Sequence, residues 1–584
     1  KLKTTPKDFI LKALSFCTAT EIAEHGEGFW IDHWTYNLDL VESYLSVFPE
    51  RLAELLLEKK VFTFYHNSFY VLPRHQRYIL TSRGPRQYHS VARMSDEMLE
   101  TKVDNNLRVT NGRGNVCTTH LLAKFICLVA NKASSLDPSG IGIEMEADKP
   151  GWYDALNGLP GLLGSSTCET IELKRFCLFL LESFNKMRIS DHETFEIFEE
   201  LYVFVKKLTN VLRDEPDPFL YWEKSNQAKE YYRLSVIKGI GGREKKISVE
   251  EIKKFLTLII RKTDKAIKLA TDKKGCIATY FSHEIIRYKK LKSVNQHEMP
   301  FVTPLAFKRH ALPLFLEGFV HAFRVEKDKA RAKKLYAKVR ASELFDQKLK
   351  MYRVNADISK ESSEIGRARI FPAGWLENQS IWVHMEYKFL LELLRTGLCK
   401  EFYENLPHTL IPFLNPQQYG RSILENSSFI ASSAHEDPEI HGRGYVARLS
   451  GSTAEFLHMW LLMNMGQQPF YLDGKRKLNL AFKPMISKNL FTQKAARFRF
   501  LNKNSQWEMV DVPKNTYAFN FMASTLVVYH NPKRIDTFDP QATIKKITCV
   551  YYTGKKVEII GGMIPSPYAQ EVREGAVKRI DAFL

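Results

Sequence analysis

The chain has 584 residues, 44% of them hydrophobic and 26% charged, a balance that supports a sizeable core and excludes wholesale disorder. Its 85 Lys and Arg against 66 Asp and Glu give a net charge of +19. No apolar run approaches the roughly 20 residues of a membrane-spanning helix, since the best, 456–465, is short and contains His458.

In chain order, residues 7–22 predict one helix, and 1–25 are read as a linker helix. The start at Lys1, without an initiator methionine, suggests a fragment or a processed product. A glycine-and-aromatic loop from His25 carries acids into a helix over Leu40, Val41, Tyr44 and Leu45. Asp39 then falls in its first turn, where the helix dipole favours a carboxylate. Residues 61–91 alternate like short strands and turns. Helical periodicity returns over 121–131, 168–187, 191–212, 248–270, 309–323, 327–349, 381–396 and 453–465. Helices that alternate with functional-looking loops predict a mainly α chain, with an (α/α)6 barrel catalytic domain over 26–467.

Much of the positive excess falls in a basic helical insertion around 213–300. There the cations alternate with Ile252, Phe255, Leu256, Ile259 and Ile260 at helical spacing, which describes the solvated back of an amphipathic helix. No nucleic acid and no membrane partner are expected. After Gly466 the pattern changes to alternating, β-branched and aromatic runs with turns at Asp473-Gly474 and Thr553-Gly554. Residues 468–584 therefore predict a C-terminal β-sandwich, jelly-roll-like. Eight cysteines form no C-x-x-C pair and no metal spacing. Set in apolar surroundings, they read as buried hydrophobes of a reducing, cytoplasmic compartment, with no metal or cofactor.

The stretch 148–166 is rich in Gly and Pro, a composition that suggests side chains held over a cleft rather than packing. Within it, Trp152 and Tyr153 precede Asp154. An aromatic can stack on a pyranose face, and partial burial raises a carboxyl pKa until it can act as a general acid. Three more loops share this character. One carries Glu377 and His384 at the entrance to a helix, one carries Arg421 and Glu425, and Arg448-Leu-Ser-Gly-Ser-Thr453 is a small-residue turn at a helix start. The last is a natural anion seat. Singly, His384 reads as a structural histidine and the turn as a helix cap. Together they predict a sugar-binding cleft that also holds phosphate.

These residues resemble a known family. Gly151-Trp-Tyr-Asp-Ala-Leu-Asn157 is similar to the Asp-Trp-Asn-Asp-Gly loop of the cellobiose phosphorylase family, glycoside hydrolase family 94. Glu377-Asn-Gln-Ser-Ile-Trp-Val-His384 resembles its Glu-Asn-Gly-Gly-Ile-Phe-x-His, Leu449-Ser-Gly-Ser452 its Leu-Thr-Gly-Thr, and Asn37-Leu-Asp39 its Asn-Gln-Asp. The order agrees, and the likeness is greatest to relatives acting on β-1,2- or β-1,3-oligoglucans. The resemblance implies inverting phosphorolysis of a β-linked gluco-oligosaccharide by inorganic phosphate, giving α-glucose 1-phosphate. It makes Asp154 the general acid, gives Asp39, Trp152 and Glu377 the sugar, and gives His384, Ser450 and Gly451 the phosphate. Glu425 lies in the neighbourhood as a further substrate-binding acid. The family's N-terminal β-sandwich, which contributes to the oligomer interface in relatives, is missing, and a homodimer is one expectation.

The chain also departs from the pattern. Asp32-His33 stands where the family has an arginine, and Arg369 is the candidate replacement on the phosphate side. Two other functions compete with phosphorolysis. One is an inverting β-glucanase pairing Asp154 with Glu425 or Glu377. The other is a non-catalytic carbohydrate-binding domain of a larger glucan synthase.

Overall fold

A computed structural model describes residues 4–16, 31–100, 102–146, 154–447 and 451–584. Several helices follow directly from their sequence patterns. Helix Val249–Ala270 starts on a reciprocal cap: Ser248 Oγ accepts from the Glu251 amide at 3.1 Å, and Glu251 Oε2 accepts from the Ser248 amide at 3.0 Å. Ile252, Phe255, Leu256 and Ile259 are buried along one face, each contributing roughly 1.5–3 kcal/mol, while Lys253 and Lys206 pair with Asp191 and Glu251 on the other. Helix Gly451–Met465 ends at Gly466, whose φ of +80° suits the left-handed stop that glycine tolerates.

The helices at 31–47, 167–187, 316–325, 383–395 and 451–465 surround one interior. The Val383 helix packs on both the Leu316 and Gly451 helices, the Thr167 helix on the Leu316 helix, and helix Ile31–Val47 on the Thr167 helix. An outer set, Leu121–Ala133, Glu199–Asp214, Pro218–Val236 and Val249–Ala270, closes the apolar core behind the Thr167 helix.

The expectation of a mainly α barrel followed by a β-sandwich is corrected. The chain is 40% helical and 24% strand, distributed over many small sheets, and is mixed α/β. The region around 213–300, expected to be helical throughout, contains the start of a long hairpin. Strand Tyr280–Val294 pairs antiparallel with Pro300–Ala311 and belongs to a six-stranded sheet that also takes in Ile79–Thr81, Gly84–Arg86, Ile143–Glu144 and Ser165–Ser166. Strand Tyr280–Val294 is buried only at its base, at Tyr280, Phe281, His283 and Ile285, with Lys289, Lys290 and Lys292 exposed, whereas on the partner strand Val302 and Pro304 are buried near the tip.

Beyond residue 468 the chain is rich in strands, yet they form no jelly roll. Five of them make one sheet in the order 516–521, 525–530, 577–583, 546–551, 556–560. Leu526–His530 runs parallel to Arg579–Phe583, and helix Tyr568–Arg573 precedes the returning strand. A hairpin, 496–501 with 507–512, covers Leu526 and Val528, while Val527 and Tyr529 enter a different cluster. Among the described residues, no helix is long and apolar enough to cross a membrane.

Candidate functional site

A three-stranded sheet gathers three of the four loops singled out in the sequence. Strand Ile381–Trp382 pairs with Ser427–Ile430, which pairs in turn with Gly444–Ala447. The Glu377 loop leads into the first strand, the Glu425 loop into the second, and the third leads out toward helix Gly451–Met465. Trp375 pins the assembly, its ring centroid 5.0 Å from Phe429 and 4.5 Å from Tyr445. Buried Asn355 clamps the loop from below: its Nδ2 donates to the Glu377 carbonyl at 2.8 Å, and its Oδ1 accepts from the Gln379 amide at 2.6 Å. Asn426 Nδ2 donates to Thr453 Oγ1 at 3.1 Å and ties the Glu425 loop to the helix start.

The fourth loop meets the same group from the other side. Asp154 opens a short 3₁₀ turn, Asp154–Leu156, that packs against a second one at Arg367–Arg369. The Gly158 amide donates to the Ile365 carbonyl at 3.1 Å, and the Arg367 amide to Asn157 Oδ1 at 3.3 Å. A Cβ on Gly158 would lie 1.6 Å from the Glu364 carbonyl oxygen, so this glycine is required for close packing. That corrects the reading of the Gly-Pro composition as a device unrelated to packing. Arg367 Nη2 donates to Glu377 Oε1 at 3.0 Å. The second oxygen of Glu377 is buried and takes no hydrogen bond among the described residues, as does Ser428 Oγ. Both are polar atoms that a bound hydroxyl could satisfy.

His384 stands at the second position of its helix, against the start of the Gly451 helix. A Cβ on Gly451 would be 2.4 Å from His384 Cε1, so the imidazole fits only over a glycine. The Tyr36 hydroxyl donates to Glu455 Oε1 at 2.9 Å and lies 2.8 Å from His384 Nε2. With the phenol proton committed to Glu455, Nε2 is the donor in that contact. Lys388, one turn on, lies with its ammonium 5.3 Å from the centroid of the Tyr36 ring. Burial pushes the Glu455 carboxyl up, but His384, Lys388 and Arg324 outweigh it and hold it at about 2.

Behind this face runs a buried charge network. Arg175 and Arg324 both grip Asp39, Arg324 through Nη2 at 2.9 Å. Arg175 Nη1 also donates to Glu172 at 2.6 Å, and Arg324 Nε to Glu392 at 3.0 Å. Arg395 pairs with Glu392 and reaches His458 Nδ1 at 3.3 Å. Burial opposes ionisation of Asp39, yet Arg324, Arg175 and Arg395 hold it well below the usual carboxylate range. Glu172, wholly buried, is held at about 2 by Arg175, His321 and Arg324 in the same way. Burial and then Arg395 lower His458 to about 4, so it is neutral at physiological pH.

Of the residues proposed from sequence, the structure brings His384, Gly451, Glu377 and Glu425 onto one sheet-built platform, with the backbone turn of Asp154 beside it. Asp39 is one layer deeper, with both carboxylate oxygens bound to guanidinium groups. Glu425 is half-exposed and paired with Arg421 at 2.7 Å. Arg369 donates to the Glu361 carbonyl at 3.1 Å, and it is Arg367 that reaches Glu377. Trp152 and Ser450 lie outside the described residues. Sequence reasoning passed over Tyr36, Glu455, Arg175, Arg324 and Arg395. The nearest signal was the buried-face position of Glu455 in its helix, one turn after Gly451.

Comparison with protein-family models gives no match, and comparison with curated proteins gives none.

Proposed function

We propose that the chain is an inverting glycoside phosphorylase acting on β-linked gluco-oligosaccharides, with β-1,2- or β-1,3-linkages favoured over cellobiose. The observation that carries this reading is the meeting of an acid-bearing turn, a carboxylate with one unsatisfied oxygen and a histidine seated on a glycine helix start. In the proposed reaction a phosphate oxygen bonds to the anomeric carbon from the face opposite the leaving group. The glycosidic C–O bond breaks, and Asp154 passes its proton to the departing oxygen. The β-linkage is thereby released as α-glucose 1-phosphate and a chain shortened by one sugar.

Phosphate is already an anion and needs no general base, so one carboxylic acid suffices, whereas an inverting hydrolase needs a second carboxylate to activate water. The pairing of Glu377 with Arg367 and of Glu425 with Arg421 supports binding roles for both acids. His384, seated over Gly451 at the start of the helix, would flank the bound phosphate there.

The test is Asp154→Asn. General acid catalysis contributes about 10²–10⁴-fold, so turnover on the natural linkage should fall by that factor. A substrate whose leaving group needs no protonation should be nearly unaffected. Equal losses on both substrates would remove Asp154 from the acid role.

A further inference from the structure

Deeper than the phosphate platform, three side chains of different ligand chemistry converge. Cys168, Glu317 and His321 are all buried, and one ligand atom from each lies within 4.8 Å of the others. Glu317 and His321 are four residues apart on helix Leu316–Val325 and so share a face. Cys168 is the second residue of helix Thr167–Met187, which packs on it.

The backbone is built for this approach. A Cβ on Gly318 would be 2.4 Å from Thr279 Oγ1, so glycine lets the Leu316 helix settle onto the Thr279 segment. Thr279 Oγ1 donates to the Phe315 carbonyl at 3.1 Å, and strand Ser165–Ser166 pairs with Tyr280 and Phe281. A second layer stands behind two of the three groups. His321 Nδ1 is 3.3 Å from Glu172 Oε2, and the Tyr280 hydroxyl donates to Glu317 Oε2. A carboxylate behind the imidazole and a phenol behind the carboxylate are the supports that fix metal ligands in orientation.

We propose that Cys168, Glu317 and His321 form a buried site for one zinc-class divalent cation, oriented by Glu172 and Tyr280. Thiolate, imidazole and carboxylate together select Zn²⁺ over Mg²⁺ or Ca²⁺, which prefer all-oxygen sites. On binding, the Cys168 S–H bond breaks, its proton leaves to solvent, and the sulfur–metal bond forms without change of oxidation state. The thiolate and the Glu317 carboxylate then cancel the two charges of the ion, so the filled site is neutral. Arg175 and Arg324 remain committed to Glu172 and Asp39.

The test uses the full chain and needs no assay of sugar chemistry. After loading with Zn²⁺ and desalting, elemental analysis should find about one zinc per chain. Cys168→Ser and His321→Gln should lose it, and Cys399→Ser, elsewhere in the fold, should keep it. Glu172→Gln should weaken binding by about 10–100-fold. Loading with Co²⁺ should give a thiolate-to-cobalt charge-transfer band that Cys168→Ser lacks. Wild-type chain that retains no zinc and shows no such band overturns the proposal, as does a Cys168→Ser chain that keeps both. Should Cys168→Ser fail to fold, the wild-type band and the His321→Gln stoichiometry decide it.

Discussion

Arg324→Met should destabilise the helical part of the chain by an amount that shrinks as the pH falls. The Arg324 side chain is 7% exposed and contacts three carboxylates, Asp39 at 2.9 Å, Glu392 at 3.0 Å and Glu172 at 3.9 Å. Lowering Glu172 from 4.5 to about 2 corresponds to roughly 3 kcal/mol, an effect shared among Arg175, His321 and Arg324. Removing one member of a buried ion-pair network costs about 3–5 kcal/mol, because the opposite charges stay buried. Those two figures agree on a loss of two to four orders of magnitude in the folding equilibrium at pH 7.

The sign follows from linkage. In the wild type the folded carboxyls titrate below their unfolded values, so their contribution is present above about pH 4.5 and is lost only as pH falls toward 2. Without Arg324 the two carboxyls lose one of their cations while Arg175 still holds both, so their folded pKa values rise toward the ordinary range. The variant therefore has less carboxylate stabilisation to lose, and its gap to the wild type should narrow as pH falls from about 4.5 toward 2. Denaturant unfolding followed by the fluorescence of buried Trp34 at about pH 7 and about pH 3 measures the gap. A loss below about 1 kcal/mol at neutral pH, or a gap that does not narrow in acid, would refute the reasoning.

Three further outcomes follow from the site. Gly451→Ala places a Cβ 2.4 Å from His384 Cε1, and overpacking of this kind costs about 1–3 kcal/mol; the KM for phosphate should rise with little change in the KM for oligosaccharide. Tyr36→Phe removes the hydroxyl between Glu455 and His384, leaving buried polar groups short of a partner at about 1–3 kcal/mol, and NMR of the His384 ring should report a changed tautomer. Arg367→Ala frees Glu377 and should raise the KM for oligosaccharide, while an unchanged KM would take Glu377 out of the sugar site.

The helices at 121–133, 167–187, 249–270 and 383–395 were legible because each buries apolar residues at 3.6-residue spacing. The hairpin 280–311 was not, since its first strand is buried only at the base and continues as a lysine-rich run that resembles a solvated helix face. The parallel pairing of 526–530 with 579–583 joins strands far apart in the chain, and no local pattern encodes it.

Within the site, the loops were readable as motifs, and a sheet of only a few residues per strand brings three of them together. The network behind them was hidden for a physical reason. Arg324, Arg395, Glu392 and Glu455 sit on helices whose inner faces are themselves charged, and a sequence cannot distinguish such a face from one turned to water. Asp39 illustrates the consequence: the motif identifies it as a site acid, whereas its surroundings commit it to Arg175 and Arg324.

The most direct measurement is product analysis of wild-type chain with β-1,2- and β-1,3-oligoglucans, in the presence and absence of inorganic phosphate. Phosphorolysis predicts α-glucose 1-phosphate when phosphate is present and almost no cleavage without it. Free glucose released at equal rates in both conditions would contradict the account.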